Sequence, residues 1–368
     1  MFRGGFFMKK MLSFLCALIL FCPCVFAEDI SAECACVMVA ETGEVVYSKN
    51  AEKEHAMAST TKIMTALLAI ESGKGEELVT VSKNAERQEG SSLYLRCGEV
   101  ISVSDLVYGL MLNSGNDAAV ALAEYLGGNV ADFAKQMTEK AKNIGAEHTQ
   151  FQNPNGLDQD GHYTTAQDLA KIAAYAMKNE EFRKIVSTKQ KTITTPSGQT
   201  IYLKNHNKLL DQYEGALGVK TGYTKKTGRC LVSAAERDGV LLIAVTLHAP
   251  NDWNDHKLLL DRAFADVSKK RILSAGQTLK EEKNGISLAA AADADIPEKD
   301  PGKFEIRLHL PKNLIPPINQ GEKLGEAEIF RNGVCVRTID VVSKQTLVKK
   351  TGRSFLNLFF LAVKSLIL

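Results

Sequence analysis

The sequence predicts an α+β domain whose sheet is completed by two distant parts of the chain, followed by a small all-β domain. Three observations lead there. Short β-branched or apolar runs at 33–40 and 44–48 flank Glu41-Thr42-Gly43, the pattern of a hairpin. A long block rich in Ala, Leu, Ile and Met then carries helical spacing, and extended runs return only at about residue 217. Strands, a helical insert and further strands, in that order, build one sheet from both ends of a segment.

At the N-terminus, Arg3, Lys9 and Lys10 precede an apolar run over 11–21, and Val25-Phe26-Ala27 places small residues where a signal peptidase cuts. Residues 1–27 are read as a secretory signal peptide, an uncleaved anchor being the alternative. Helices are expected over 59–70, 104–112, 118–126 and 130–144. Another begins at Thr165, with Asp168 placed to reach back to the cap amide. Strands over 217–224, 229–236 and 240–247 follow, then a helix over 252–267, so the first domain runs over 28–268. Beyond it, Ala289–Asp295 is small and acidic, and Pro297, Pro301, Pro311, Pro316 and Pro317 punctuate short runs. Of these, 304–310, 326–330 and 334–342 read as strands of an all-β domain over 269–348. Lys349, Lys350 and Arg353 then lead into 355–368, apolar except for Asn357, Ser365 and Lys364. That stretch is shorter than the ~20 residues a spanning helix needs. Residues 349–368 are therefore expected to form an amphipathic helix that holds the protein on the membrane surface, rather than a core-packing terminal helix.

A chain of 368 residues, 45% hydrophobic and 24% charged, has room for two domains and a substantial core. Its net charge of +2 lacks the basic excess of a nucleic-acid binder, and loss of 1–27 with its three cations makes it −1. Five cysteines remain after that loss: Cys34, Cys36, Cys97, Cys230 and Cys335. An odd number cannot complete a disulfide framework. Cys34 and Cys36 fall on one face of a strand and read as small buried hydrophobes. The seven histidines show no metal-ligand spacing, so neither a metal nor another cofactor is expected.

Three short motifs carry chemistry. Ser59-Thr60-Thr61-Lys62 stands at an expected helix start, where three residues return the chain to the same face. Lys62 can then take the proton that a serine hydroxyl must lose to become a nucleophile, provided burial or a second cation lowers its pKa. By itself the spacing is more often that of an N-cap serine followed by a solvated lysine. Ser114-Gly115-Asn116 lies between two expected helices, on a turn that can point Ser114 and Asn116 into one cleft. Lys220-Thr221-Gly222 closes an extended run and puts Lys220 and Thr221 on a sheet edge, with Gly222 leaving room for a substrate backbone. The same tripeptide recurs at 226–228, as the turn that follows, and at 350–352, in the basic lead-in to the terminal segment. Lys220 would supply positive potential to a carboxylate and depress the pKa of Lys62.

In this order, Ser-x-x-Lys, Ser-x-Asn and Lys-Thr-Gly form the set found in penicillin-binding proteins and class A β-lactamases. The text around them, including Leu106–Ala119, Phe151-Gln-Asn-Pro-Asn-Gly-Leu157, His162–Ala170 and Gly218–Thr224, resembles the low-molecular-mass D-alanyl-D-alanine carboxypeptidases. These are the serine DD-peptidases of the penicillin-binding protein family. The resemblance covers about 30–268 in detail, and the β-rich second domain and amphipathic C-terminus fit the same architecture. It implies a β-lactamase/transpeptidase-like fold, an antiparallel sheet with a helical cluster. It implies that Ser59 attacks the bond between the last two D-alanines of a peptidoglycan stem peptide, that water hydrolyses the acyl-enzyme, and that β-lactams acylate the same serine. Ser114 and Asn116 match the second element, and Lys220 and Thr221 the third. The backbone amides of Ser59 and Tyr223 match the oxyanion hole, and Thr224 a threonine that contacts the substrate carboxylate. Two departures stand out. Many members carry His where Tyr223 stands, and some carry an arginine beyond the returning strands, where this chain has none over 248–256. The cation that joins Lys220 on the carboxylate is thereby left unassigned.

Other classes fare worse. There is no Gly-x-Ser-x-Gly elbow, His-Glu-x-x-His or Walker A sequence. His206, between Asn205 and Asn207, reads as structural rather than as a triad base. A class A β-lactamase needs a glutamate to activate its deacylating water, and 151–157 holds no carboxylate before Asp158. A non-catalytic β-lactam sensor would use the same cleft, although Ser59 and Lys62 are both intact.

Overall fold

The computed structural model describes residues 30–282 and 285–348. The expected signal peptide and the expected terminal helix lie outside the described residues.

The hairpin read from 33–48 is present as β1 (Cys34–Val39) and β2 (Val45–Lys49). β1 pairs on its other side with β9 (Val240–Leu247), which pairs with β8 (Gly228–Arg237), and that with β7 (Ala216–Thr224). The result is a five-stranded antiparallel sheet in the order β2-β1-β9-β8-β7, with β7 at one edge. Every residue of β1 is buried because both faces of the sheet are covered. Cys34, Cys36 and Met38 enter the larger core, shared with the helical block, while Ala35, Val37 and Val39 enter a smaller one under the last helix of the domain, Asp252–Asp266. Cys34 and Cys36 are free thiols inside the core, and burial pushes the Cys36 thiol up to about 12.

The helical block centres on α1 (Lys62–Glu71), buried on most of its surface, with α2 (Lys83–Glu86), α3 (Val103–Leu112), α4 (Asn116–Gly127) and α5 (Val130–Ile144). Then come α6 (Ala166–Ala176), α7 (Glu180–Ser187), α8 (Leu209–Gln212) and α9 (Asp252–Asp266). α6 starts where expected, but only half of its capping box forms. The Thr165 hydroxyl accepts from Asp168 N at 3.0 Å, while the Asp168 carboxylate accepts instead from His148 N and the Thr149 hydroxyl. Also present, and not expected from the sequence, are α7, the small β3–β4 pair (Leu78–Thr80, Val100–Ser102) and the hairpin of β5 (Gln190–Thr194) with β6 (Thr200–Lys204).

The three expected C-terminal strands appear as β14 (Phe304–His309), β15 (Lys323–Arg331) and β16 (Val334–Ser343) in a second five-stranded sheet. The small, acidic stretch at 289–295, which carried no strand signal, contributes to β12 (Ser287–Ala290) and β13 (Ala294–Glu298). This sheet has its own core around Leu288, Ile329 and Val341. Its β15 and β16 meet the β1–β2 hairpin through Arg331 to Glu44 at 2.9 Å and a two-pronged Arg337–Glu41 pair at 2.8 Å.

Candidate active site

Ser59 lies in a 3-10 turn, Ala58–Thr61, and the α-helix begins only at Lys62. This corrects the helix expected from Ser59 onward and brings the pair closer, because in a 3-10 turn residues i and i+3 eclipse. Lys62 Nζ stands 2.9 Å from Ser59 Oγ, 2.7 Å from Asn116 Oδ1 and 2.6 Å from Asn155 O. Asn116 cannot present its nitrogen instead, since its Nδ2 donates to Glu89 O at 2.6 Å. Two of the three neighbours of Nζ are therefore oxygens that only accept. A neutral amine gives its two N–H groups to them and is left with a lone pair for the serine O–H. Lys62 is fully buried, and burial, reinforced by the charge of Lys220, holds its pKa well below the ordinary lysine value. The capping alternative fails on this burial, which a solvated lysine would not show.

The turn is braced from behind by the 151–164 segment. Gly156, at φ +85°, sits so close that a Cβ there would lie 1.9 Å from Ala58 O, and Ala58 itself has φ +47°. The Thr65 hydroxyl donates to Pro154 O at 2.7 Å. His162 Nδ1 accepts from Gln152 N at 2.9 Å, so its proton is on Nε2, which donates to Thr61 Oγ1 at 2.8 Å. Thr61 passes the bond on to Ala58 O. Burial pushes His162 down to about 4, and His256, enclosed between the Ser233 and Thr246 hydroxyls, down to about 3.

Both histidines are neutral in the fold, whereas an unfolded chain protonates them near pH 6.5. The stability tied to their neutral forms is full above that pH and is lost as pH falls from about 6.5 towards 4, at roughly 1.4 kcal/mol per pH unit per histidine. Unfolding midpoints in urea measured across this window should show that slope. His256→Gln should remove about one proton's worth, and an unchanged slope would contradict the assignment.

Ser114, with φ +62° and 4% exposed, and Thr221, Gly222 and Tyr223 line a 360 Å³ cleft together with Ser59. The turn carrying Ser114 is fixed by Asp117, which sequence reading missed. Its buried carboxylate accepts from Leu93 N, Leu95 N and the Ser92 hydroxyl, pinning one wall of the cleft. Lys220, on β7, is buried with its Nζ donating to Thr221 O at 3.0 Å, and burial lowers its pKa to about 7. Gly222 is needed for a different approach from the one expected. A Cβ there would lie 3.1 Å from Ser59 N and 3.2 Å from Met57 O, so the nucleophile's own turn fills the room it leaves.

Neither Lys220, buried beneath Thr221, nor Thr224 is among the residues that line the cleft, and Thr224 is engaged elsewhere. Its hydroxyl donates to Asp158 Oδ1 at 3.0 Å and accepts from Thr227 N at 2.9 Å, which ties the β7–β8 turn. In its place stands Arg229, opposite Tyr223 on β8 and lining the cleft. Arg229 Nε pairs with the buried Asp252 at 3.0 Å, and its guanidinium lies 5.8 Å from the Trp253 ring centre. His206 also lines the cleft, with its pKa lowered by burial and by the charge of Lys220.

With this geometry established, comparison with known proteins is specific. Residues 24–251 match the family model described as D-alanyl-D-alanine carboxypeptidase, and 267–349 match that of the C-terminal domain of penicillin-binding protein 5. The D-alanyl-D-alanine carboxypeptidase DacF of Bacillus subtilis is 32% identical over 94% of this chain and 96% of its own length. DacC of Escherichia coli is 30% identical over 86% of each. Among solved structures, penicillin binding protein 5 of Haemophilus influenzae superposes with a TM-score of 0.64 at 30% identity, over 87% of this chain and 98% of that one. The Streptomyces K15 DD-transpeptidase covers 64% of this chain and 98% of its own, with a TM-score of 0.61 and 35% identity.

Proposed function

The chain belongs to the D-alanyl-D-alanine carboxypeptidase family of serine peptidases, and we propose that it removes the terminal D-alanine of peptidoglycan stem pentapeptides through an ester on Ser59. The observation that carries this is the buried Lys62, with two N–H acceptors and one hydroxyl around its nitrogen. Ser59 Oγ attacks the carbonyl carbon while its proton passes to Lys62 Nζ. The resulting oxyanion is held by the backbone amides of Ser59 and Tyr223. Collapse breaks the C–N bond, and the leaving amine takes a proton delivered from Lys62 through the Ser114 hydroxyl. Water then attacks the ester by the reverse route and frees the shortened peptide. A β-lactam, which presents a strained amide and a carboxylate to the same groups, acylates Ser59.

The substrate carboxylate falls to Lys220, Thr221 and Arg229. Lys220, held near 7 by burial, gains its proton more firmly when that carboxylate arrives. Asp252 engages the Nε side of Arg229 and leaves the terminal nitrogens to meet the two oxygens in the plane of the guanidinium. Arg229→Gln should lower kcat/KM for a free C-terminal substrate by roughly 10- to 100-fold, the worth of a charge-assisted bond. A substrate amidated at that carboxyl should respond little; an equal loss on both would remove Arg229 from this role.

With 1–27 removed and 349–368 on the lipid surface, the enzyme works outside the cytoplasmic membrane. Among the described residues, no helix is long and apolar enough to cross a membrane. The test of the function is mass spectrometry after incubation with a penicillin, beside D-alanine release from a stem pentapeptide. A long-lived adduct together with release supports the proposal. Rapid penicillin turnover without release would make the protein a β-lactamase, and an adduct with neither activity a sensor.

A further inference from the structure

Behind the nucleophile's turn, three side chains from distant parts of the chain converge: Glu33 just before β1, His55 four residues ahead of Ser59, and His248 just after β9. One ring nitrogen of each histidine and a carboxylate oxygen all lie within 4.8 Å of one another. We infer that Glu33, His55 and His248 form a binding site for a zinc-class divalent cation, independent of the serine chemistry.

The donor set suits such an ion, since two imidazoles and a carboxylate are preferred by zinc and its neighbours over the hard cations magnesium and calcium. Both imidazoles are also oriented as ligands. His55 Nδ1 lies 2.7 Å from Ala56 O, and His248 Nδ1 lies 3.2 Å from Thr227 O. A carbonyl only accepts, so each Nδ1 carries the proton and each Nε2 presents its lone pair. A backbone carbonyl fixing the remote nitrogen is the usual support of a metal-binding histidine.

The backbone beneath the site is pinned at each corner. Glu33 N donates to His248 O at 3.1 Å, and His55 exchanges hydrogen bonds of 2.8 and 3.0 Å with Thr164. His248 holds a left-handed φ of +51°, and its ring is pressed so near Gly228 that a Cβ there would lie 2.8 Å from Nδ1. A tetrahedral zinc shell sets its ligands about 3.4 Å apart. Closing from at most 4.8 Å asks for up to about 1.4 Å, within reach of rotations by the exposed His248 and the half-buried Glu33. Solvent supplies the fourth ligand.

One local cation competes. Lys53 Nζ, on an exposed side chain, pairs with Glu33 Oε1 at 2.6 Å. The ion takes the other carboxylate oxygen or displaces Lys53. Once bound, it would join the start of β1, the approach to the Ser59 turn and the end of β9.

The test is calorimetric titration of the tag-free, chelator-stripped full chain in detergent with zinc chloride alone. One equivalent is expected to bind, with a rise in the thermal midpoint. His248→Ala and Glu33→Gln should each weaken binding at least roughly tenfold, as loss of a ligand does. Lys53→Gln should tighten it, a gain that no folding defect can mimic. Circular dichroism without metal reports whether each variant folds; if His248→Ala does not, Glu33→Gln and Lys53→Gln decide. Absence of a stoichiometric zinc site, binding undiminished by the ligand substitutions, no gain in Lys53→Gln, or equal binding of calcium would each overturn the assignment.

Discussion

Replacing Ser59 with alanine is expected to abolish both the penicillin adduct and D-alanine release, and replacing Lys62 with methionine to slow acylation by about 10³-fold. The first effect is complete because, among the described residues, Ser59 supplies the hydroxyl bonded to the buried amine, its other two partners being carbonyl oxygens. The second is partial because the oxyanion amides and the carboxylate contacts survive, while positioned proton transfer accounts for roughly 10² to 10⁴ in rate. Methionine keeps much of the lysine's length and volume, so the core around α1 stays filled. It does leave Asn116 Oδ1 and Asn155 O without their donor, at a cost of about 1–3 kcal/mol each, partly offset by removing an amine whose charged form burial disfavours. The variant should therefore fold and denature at a lower midpoint than the parent. The pH profile separates a base from a mere filler. In the parent, acylation should rise with pH along a limb far below the ordinary lysine range, because burial and Lys220 depress Lys62. That limb should vanish in Lys62→Met. If Lys62→Met retained acylation within tenfold of the parent, the proton would have to leave Ser59 by another route.

What could be read from the sequence was whatever has a period or a side chain. β1 was legible because its apolar run sits between turn residues, and the helical block because apolar residues recur along its helices. The β5–β6 hairpin carries a signal of its own in alternating burial. Ile193, Ile201 and Leu203 are buried while their neighbours are exposed, around a Pro-Ser-Gly turn. Other features are not written in side chains at all. Asn155 and Pro154 serve the site through backbone carbonyls, which every residue owns. The 3-10 turn escaped because a Ser-x-x-Lys spacing fits it and an α-helix equally well. Arg229 and Asp252 lie 23 positions apart and acquire a joint meaning only when β8 and the start of α9 meet. Separation along the chain likewise hid Glu33, His55 and His248 from any test of ligand spacing. Thr224 shows the converse: its place after Lys-Thr-Gly suggested a carboxylate contact, yet its hydroxyl is spent on Asp158 and Thr227.

Gly156→Ala should be the most damaging change that touches no reacting atom. Its φ of +85° already disfavours a side chain, and the added methyl would lie 1.9 Å from Ala58 O, 2.4 Å from Ala58 C and 2.9 Å from Ser59 N. None of these is a flexible tip that can swing away. Either the loop at 153–157 lifts off or the nucleophile's turn shifts. In both cases Asn155 O, bonded to Lys62 at 2.6 Å, moves relative to the amine. The left-handed backbone costs about 1–2 kcal/mol and the overpacking about 1–3 kcal/mol, so a loss near 3 kcal/mol is expected. An ångström of misplacement at the nucleophile costs roughly 10² in rate. Gly128 is the matched control, since its φ is +78° and nothing lies within 4 Å of a Cβ built there. Gly128→Ala should lose only the backbone share of stability and keep its acylation rate. Denaturant midpoints and penicillin acylation rates measured on both variants separate the two costs. Equal behaviour of the pair would mean that the 151–164 segment does not hold Ser59 in place.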